Sequence, residues 1–185
     1  MKRLLLAAAL AVASCRSPDP SYYTLAPLRG VPKGGAPALV ELRRPGVAGY
    51  LDRSEIVRAN DPYKLQLASG ERWGEPFSDM VGRVLAEDLN SRLPGTSVFT
   101  SAGAISAETG ARVELDVQRF DSDASGRVVL IAQVAITRNA NRSTSVARPI
   151  RLEVAPSGAG TGDYVAAMSR ALATAADQIA SLLRR

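Results

Sequence analysis

Val113-Glu114-Leu115-Asp116-Val117-Gln118 alternates apolar and polar residues, Ser122-Asp123-Ala124-Ser125-Gly126 turns the chain, and Val128-Val129-Leu130-Ile131-Ala132-Gln133-Val134-Ala135-Ile136 runs on from it. A period of two is the signature of a half-buried strand, so the two runs predict a long β-hairpin. The second arm is apolar on both faces, with Val128, Leu130, Ala132, Val134 and Ile136 on one and Val129, Ile131 and Ala135 on the other. Such a strand belongs in the middle of a sheet covered twice, or keeps one face for a partner.

Downstream, Val146, Ile150, Leu152 and Val154 predict a further strand, which Pro149 restricts to an edge or bulged position because proline cannot donate to the ladder. A final helix is expected from about Asp163 to Leu183. Its apolar stripe is Val165, Met168, Leu172, Ala175, Ile179 and Leu182, and an alanine-rich flank permits close approach to a sheet. Gly158-Ala159-Gly160-Thr161-Gly162-Asp163 precedes it, but without a following lysine it reads as a connector rather than a phosphate loop.

Upstream, Glu75-Pro76 opens a helix in which Phe77, Met80, Val81, Val84, Leu85, Leu89 and Leu93 share one stripe while Asp79, Arg83, Glu87 and Asp88 face away. Pro94-Gly95 ends it. Strands are expected over Leu39–Arg43, over Ser54–Arg58, and where Tyr63, Leu65 and Leu67 alternate with Lys64 and Gln66, the last as a half-buried strand. Tyr22-Tyr23-Thr24-Leu25 is suited to a short edge strand or to packing over the domain. Ala26–Ala38 is broken by Pro27, Gly30, Pro32, Gly34, Gly35 and Pro37 and reads as a loop. The expected fold class is α+β: a single domain over 39–185, a mixed or antiparallel β-sheet packed with two main α-helices.

Cys15 is the only cysteine of the chain and there is no histidine. Zinc sites, Cys–His pairs, a Ser-His-Asp triad and internal disulfides are thereby excluded, and no metal or catalytic site is expected. A carboxylate pair such as Glu114 and Asp116, about 7 Å apart on one strand face, is fully explained by strand alternation; Asp121 and Asp123 are the other such pair.

Met1-Lys2-Arg3 and the apolar run Leu4–Ala13 have the proportions of a secretory signal, and Ala13-Ser14 before Cys15 looks like a lipobox. The expected processing puts a diacylglyceryl group on the Cys15 sulfur, removes residues 1–14 and acylates the new amine with a further chain such as palmitate; two or more chains anchor stably. No cofactor is expected beyond this covalent lipid. Arg16 stands where an aspartate would retain a lipoprotein in the inner membrane, which points to the outer membrane with the domain facing the periplasm. Residues 15–38 are expected to form the acylated cysteine and a flexible or extended tether, stiffened by Pro18 and Pro20. Losing Lys2 and Arg3 leaves 21 basic against 18 acidic side chains, too even a balance to argue for nucleic acid.

Gly49-Tyr50-Leu51-Asp52-Arg53-Ser54-Glu55-Ile56-Val57, Arg72-Trp73-Gly74-Glu75-Pro76-Phe77 and Arg119-Phe120-Asp121, in that order after a lipobox and Tyr22–Leu25, resemble the Pqi-type auxiliary lipoproteins of ABC-type transporters. Phe77 stands where that family usually has a bulkier aliphatic residue. The resemblance implies an outer-membrane lipoprotein that works beside MCE (mammalian cell entry) domain proteins in phospholipid trafficking between the membranes. Its implied task is docking the periplasmic MCE component and supporting membrane integrity. The alternatives are a periplasmic lipid-binding carrier, with a groove between sheet and helices, and an assembly plug of an outer-membrane barrel. A homo-oligomer around a symmetric partner is compatible with either.

Two groups of residues are candidates for contact. Tyr50, Leu51, Asp52, Arg53 and Trp73 form the candidate partner-binding set; Asp52 and Arg53 either bond across an interface or hold their own turn, and Trp73 is either an interface anchor or a core plug. Arg138, Arg142, Arg148 and Arg151, without an acid among them, form a candidate patch for anionic headgroups or an acidic partner, or else a solvated edge that discourages aggregation.

Overall fold

The hairpin is the centre of the larger of two sheets. A computed structural model describes residues 19–61, 63–101, 103, 107–139 and 144–184; Cys15, the signal stretch and Arg142 lie outside the described residues. In chain order the elements are β1 (Ser21–Tyr23), β2 (Leu39–Leu42), β3 (Gly46–Val47), β4 (Glu55–Asp61), β5 (Lys64–Trp73), α1 (Phe77–Arg92), β6 (Ser97–Thr100), β7 (Ala111–Ser122), β8 (Val128–Arg138), β9 (Thr144–Val154) and α2 (Thr161–Leu183). The larger sheet has the order β6-β2-β7-β8-β9, with β3 also pairing β7, and the smaller has the order β1-β5-β4. β7, β8 and β9 are antiparallel, whereas β2 runs parallel to both β6 and β7, so the sheet is mixed and the fold is α+β.

Register explains the core. Val113 lies opposite Ile136, Leu115 opposite Val134 and Val117 opposite Ala132, and all six are buried. Between Val117 and Arg119 the ladder shifts by a β-bulge. One extra residue exchanges the two faces of the strand. Phe120 therefore comes opposite Leu130 on the core side, although it is even-numbered where Val113–Val117 contribute odd ones. Asp121, opposite Val129, goes to the other face. α2 packs on α1, β8 and β9, and α1 on α2 and β6. Met80, Val84, Leu85, Leu89, Met168, Leu172, Ala175 and Ile179 join the sheet side chains in one core. These side chains fill the contact between the larger sheet and the two helices.

Several expectations are met closely. Among the described residues β9 pairs only β8 and carries Pro149 at the edge, and both helices fall where their stripes put them. β8 is an inner strand, but only Val129 on its second face is buried; Ile131 and Ala135 are partly exposed and Gln133 is open. Three expectations are corrected. Tyr63, Leu65 and Leu67 do lie on or next to a strand, yet they are 98%, 46% and 46% exposed, so β5 is not half-buried on that face. Asp88 does not face solvent: it is completely buried, as is Arg92 one turn on. The stretch 26–38 has no helix or strand, but its first part is no free tether.

The reason is a strap. Leu25 is buried, and its N–H points at Met80 Sδ at 3.3 Å. Ala26 N–H donates to Ser169 Oγ (3.1 Å), Leu28 N–H to Asp88 Oδ1 (2.6 Å) and Lys33 N–H to the Arg92 carbonyl (2.6 Å). The Arg92 guanidinium donates to the carbonyls of Leu28 (2.8 Å), Asp88 (2.9 Å) and Ala173 (3.0 Å) and to Asp177 Oδ1 (2.8 Å). One side chain thus joins the strap, α1 and α2. Gly30 passes so close that a Cβ there would run into that guanidinium.

Burial pushes the Asp88 carboxyl up to about 6, against the opposing pull of the Leu28 N–H and Arg92. Its Oδ2 has no hydrogen-bond partner among the described residues. The folded state therefore holds this proton more tightly than the unfolded chain, and the contribution is present below the ordinary carboxylate range and lost as pH rises through about 6. Relative to Asp88→Asn, the native protein should lose stability between pH 4 and pH 7, by at most about 3 kcal/mol. Urea midpoints of the two proteins that shift in parallel over this range would contradict it.

Candidate functional site

The three stretches that are far apart in sequence, 49–57, 72–77 and 119–121, meet at the seam between the two sheets. The bulge in β7 aims Arg119 and Asp121 to one side and Phe120 to the other. Arg119 Nε donates to Asp121 Oδ1 at 2.6 Å, and its Nη2 to the Ser122 carbonyl at 3.0 Å. The Tyr50 hydroxyl donates to the other Asp121 oxygen at 2.7 Å. Asp121 is buried with both oxygens satisfied, which makes it a tie and not a reactive carboxylate. Burial and then the Asp121 carboxylate hold the Tyr50 hydroxyl far above its ordinary range, so it stays a neutral donor. On the other side of β7, Phe120 and Phe77 have ring centroids 6.0 Å apart, and Phe77 and Trp73 5.3 Å, all tilted.

The loop between β3 and β4 is wound tightly onto this seam. Ala48 N–H donates to the Val117 carbonyl (2.9 Å), Leu51 N–H to that of Ala48 (2.8 Å), and Trp73 N–H to that of Ser54 (2.7 Å). Leu51 and Trp73 are buried, so of the five candidate partner-binding residues these two are core plugs. Asp52 and Arg53 stand at the loop apex, exposed, and their side chains have no hydrogen bond or ion pair within the described residues. They do not hold their own turn. With Ser54, Trp73, Gly74, Glu75 and Pro76 they border an open hollow of ≈ 370 Å³.

The smaller sheet is fixed to the start of α2 by a second set of contacts. The Tyr164 hydroxyl donates to the Val57 carbonyl at 3.0 Å, and the Arg58 guanidinium lies 4.7 Å from the Tyr164 ring centroid while donating to Thr161 Oγ1 at 2.8 Å. Thr161 in turn donates to Glu71.

Of the arginines of the candidate basic patch, Arg138 and Arg148 line one hollow beside Leu182, and Arg151 is not among its lining residues. Arg148 lies opposite Val134 and Arg151 opposite Ile131, hence on opposite faces of β9. Arg138 donates to the Leu182 carbonyl at 2.8 Å, capping the end of α2, and Arg151 lies 3.6 Å from Glu153. Arg142 is outside the described residues. The glycine-rich run before α2 holds an acid of its own, since Ser157 donates to Asp163 at 2.7 Å and a Cβ on Gly158 would strike that carboxylate. Asp123 accepts from Ser125 N–H, Ser125 Oγ and Arg127 N–H to close the β7–β8 turn, and the Ser125 hydroxyl first among these lowers its carboxyl. Glu114 and Asp116 are exposed on the polar face of β7. No cluster of three potential metal ligands occurs among the described residues, and none of their helices is long and apolar enough to cross a membrane.

Comparison with known proteins bears on what this seam belongs to. The family model for the ABC-type transport auxiliary lipoprotein component matches residues 23–180. The intermembrane transport lipoprotein PqiC of Escherichia coli K12 is 23% identical over 189 residues, covering 100% of this chain and 98% of that one, and PqiC of Shigella flexneri gives the same figures. Among solved structures, that of an uncharacterized protein superposes with a TM-score of 0.74 at 21% identity, over 89% of this chain and 99% of that chain. Protein XCC0632 of Xanthomonas campestris superposes with a TM-score of 0.64 at 18% identity, over 88% and 94%. Both establish the fold.

Proposed function

Because this chain belongs to the ABC-type transport auxiliary lipoprotein family, we propose that it is a lipid-anchored, periplasm-facing adaptor of a Pqi-type intermembrane transport system. In this reading Cys15 carries the lipid, the outer membrane receives it, and the folded domain docks the periplasmic MCE-domain component of the transporter. Phospholipid is the proposed cargo of the system and not a ligand held within this domain.

The observation that carries the docking reading is the pairing of a rigid seam with an unengaged charge pair. Tyr50, Asp121, Arg119 and the Trp73–Phe77–Phe120 stack spend their bonding capacity inside the protein. They leave Asp52 and Arg53 presented on a fixed loop. Charged groups held ready on a rigid support lose little conformational freedom when a partner engages them. An anchored protein built this way is suited to hold, not to transform.

Exchange of these charges is the direct test. Asp52→Arg with Arg53→Asp should weaken binding to the isolated MCE-domain component about tenfold or more, as expected when charge-assisted bonds at an interface are lost. Folding should be unchanged, since neither side chain has a partner among the described residues. Equal affinity of the exchanged and native proteins would move the docking surface elsewhere, and failure of native protein to capture any MCE-domain component would remove the adaptor reading itself.

A further inference from the structure

Tyr63, Lys64 and Leu65, at the turn end of the β4–β5 hairpin, border a hollow that also reaches Tyr50, Arg119 and Asp121 of the seam, whereas Asp52 and Arg53 border the hollow at Trp73 and Gly74. Tyr63 is fully exposed, and Leu65 and Leu67, two and four residues on, are nearly half exposed. A row of exposed apolar side chains at the turn end of a hairpin marks a contact surface. Which surface it meets follows from the path of the chain.

β1 runs parallel to β5, with Ser21 opposite Glu71 and Tyr23 opposite Trp73. Residues upstream of Ser21 therefore depart in the direction of Lys64, the hairpin's turn end, and away from Asp52–Arg53, which lie beside Trp73 and Gly74 at its base. Six residue steps from Ser21 to Cys15 reach at most about 20–22 Å. Seven strand steps from Glu71 to Lys64 cover about 23 Å. The hairpin is as long as the tether, so a tether running along it brings the tip to the level at which Cys15 is held.

On the reading that Cys15 carries the anchor, we propose that the hairpin tip is a second, protein-borne membrane contact, with Tyr63, Leu65 and Leu67 seated at the headgroup–acyl boundary of the leaflet that holds the lipid of Cys15. The residue types suit that depth. Tyrosine is enriched at such boundaries because its ring is amphipathic, and the Lys64 amine reaches to headgroups past its own apolar stem. Asp61 and Asp123 border the same hollow as Tyr63 and Leu65 and limit the contact to the boundary. Two attachments fix the domain's orientation, with Asp52 and Arg53 directed away from the lipid.

The test uses the full lipidated chain reconstituted into vesicles of phosphatidylethanolamine with a minor fraction of phosphatidylglycerol, with or without bromine on the acyl chains. In Tyr63→Trp the added fluorescence should be quenched about twofold by the brominated lipid, as for a side chain on the order of 5–10 Å into the boundary; Arg53→Trp should show none. A second measurement, hydrogen exchange across residues 63–69, should slow on vesicles in the native chain and not in Leu65→Asp with Leu67→Asp. Protein that floats with the vesicles without quenching at position 63 overturns the tip contact and leaves the anchor reading standing. Cross-links from position 63 to a second copy or another protein, in the absence of quenching, assign the surface to a protein contact and overturn the proposal. Protein that does not float overturns both readings.

Discussion

A Cys15→Ala chain will be lost from the outer-membrane fraction, either released into the soluble periplasm or held at the inner membrane by its uncleaved signal, and the transport system will behave as if the protein were missing. On the reading that Cys15 carries the lipid, every anchoring acyl chain depends on that one sulfur, since the sequence holds no other cysteine. Each buried methylene contributes about 0.8 kcal/mol to membrane attachment, so loss of two or three chains removes essentially all of it. The hairpin tip alone is too small to replace them. Fractionation should show the change as nearly complete, with the folded domain intact, because the packed body begins at β1. Arg16→Asp is the companion variant: lipidated as before, it should sediment with the inner membrane. Native protein recovered from the soluble fraction with an unmodified amino terminus would contradict the anchor.

The second large effect is expected at Arg92. Its guanidinium serves Leu28, Asp88, Ala173 and Asp177 from a site with almost no solvent. Arg92→Ala leaves the buried Asp88 without its cation and strips acceptors on the strap and α2. Removing one partner of a buried pair costs about 3–5 kcal/mol, a large part of the 5–15 kcal/mol that holds a domain together. For a chain of this length the melting temperature should fall by roughly 10 °C. Arg92→Lys should rescue little, because one ammonium cannot reproduce a planar fork with donors in several directions. Arg92→Met combined with Asp88→Leu should recover much of the loss, since the uncompensated charge is then gone. An Arg92→Ala protein within about 0.5 kcal/mol of native would show that the network contributes little.

These two residues also mark where the sequence was readable. The β7–β8 hairpin and the stripes of α1 and α2 follow from periodicity, because burial on one side of a regular element leaves a repeat of fixed length. Asp88 and Arg92 obey no such rule. They sit on the polar flank of α1, and only the strap and α2, brought there by tertiary packing, turn that flank into interior. The bulge after Val117 is equally silent in the pattern; yet it decides that Phe120 enters the core and that Asp121 meets Tyr50. Alternation at Tyr63, Leu65 and Leu67 identifies a strand but cannot say what covers it. Arg148 and Arg151 look like neighbours on paper, and their odd separation on a strand sends them to opposite faces. The parallel pairing of β2 with β6 and β7 depends on which loops close and is likewise invisible in any single segment.

The direction of β1 has a mechanical consequence. Force arriving through the tether acts along the strand axis, parallel to β5, so the rungs between Ser21–Tyr23 and Glu71–Trp73 are loaded together in shear and not peeled one at a time. Behind them the strap at Leu25 and Leu28 spreads the load into both helices. On the adaptor reading, a domain moored at one end and gripped at the other can be tugged by the relative movement of two membranes without its first strand tearing loose.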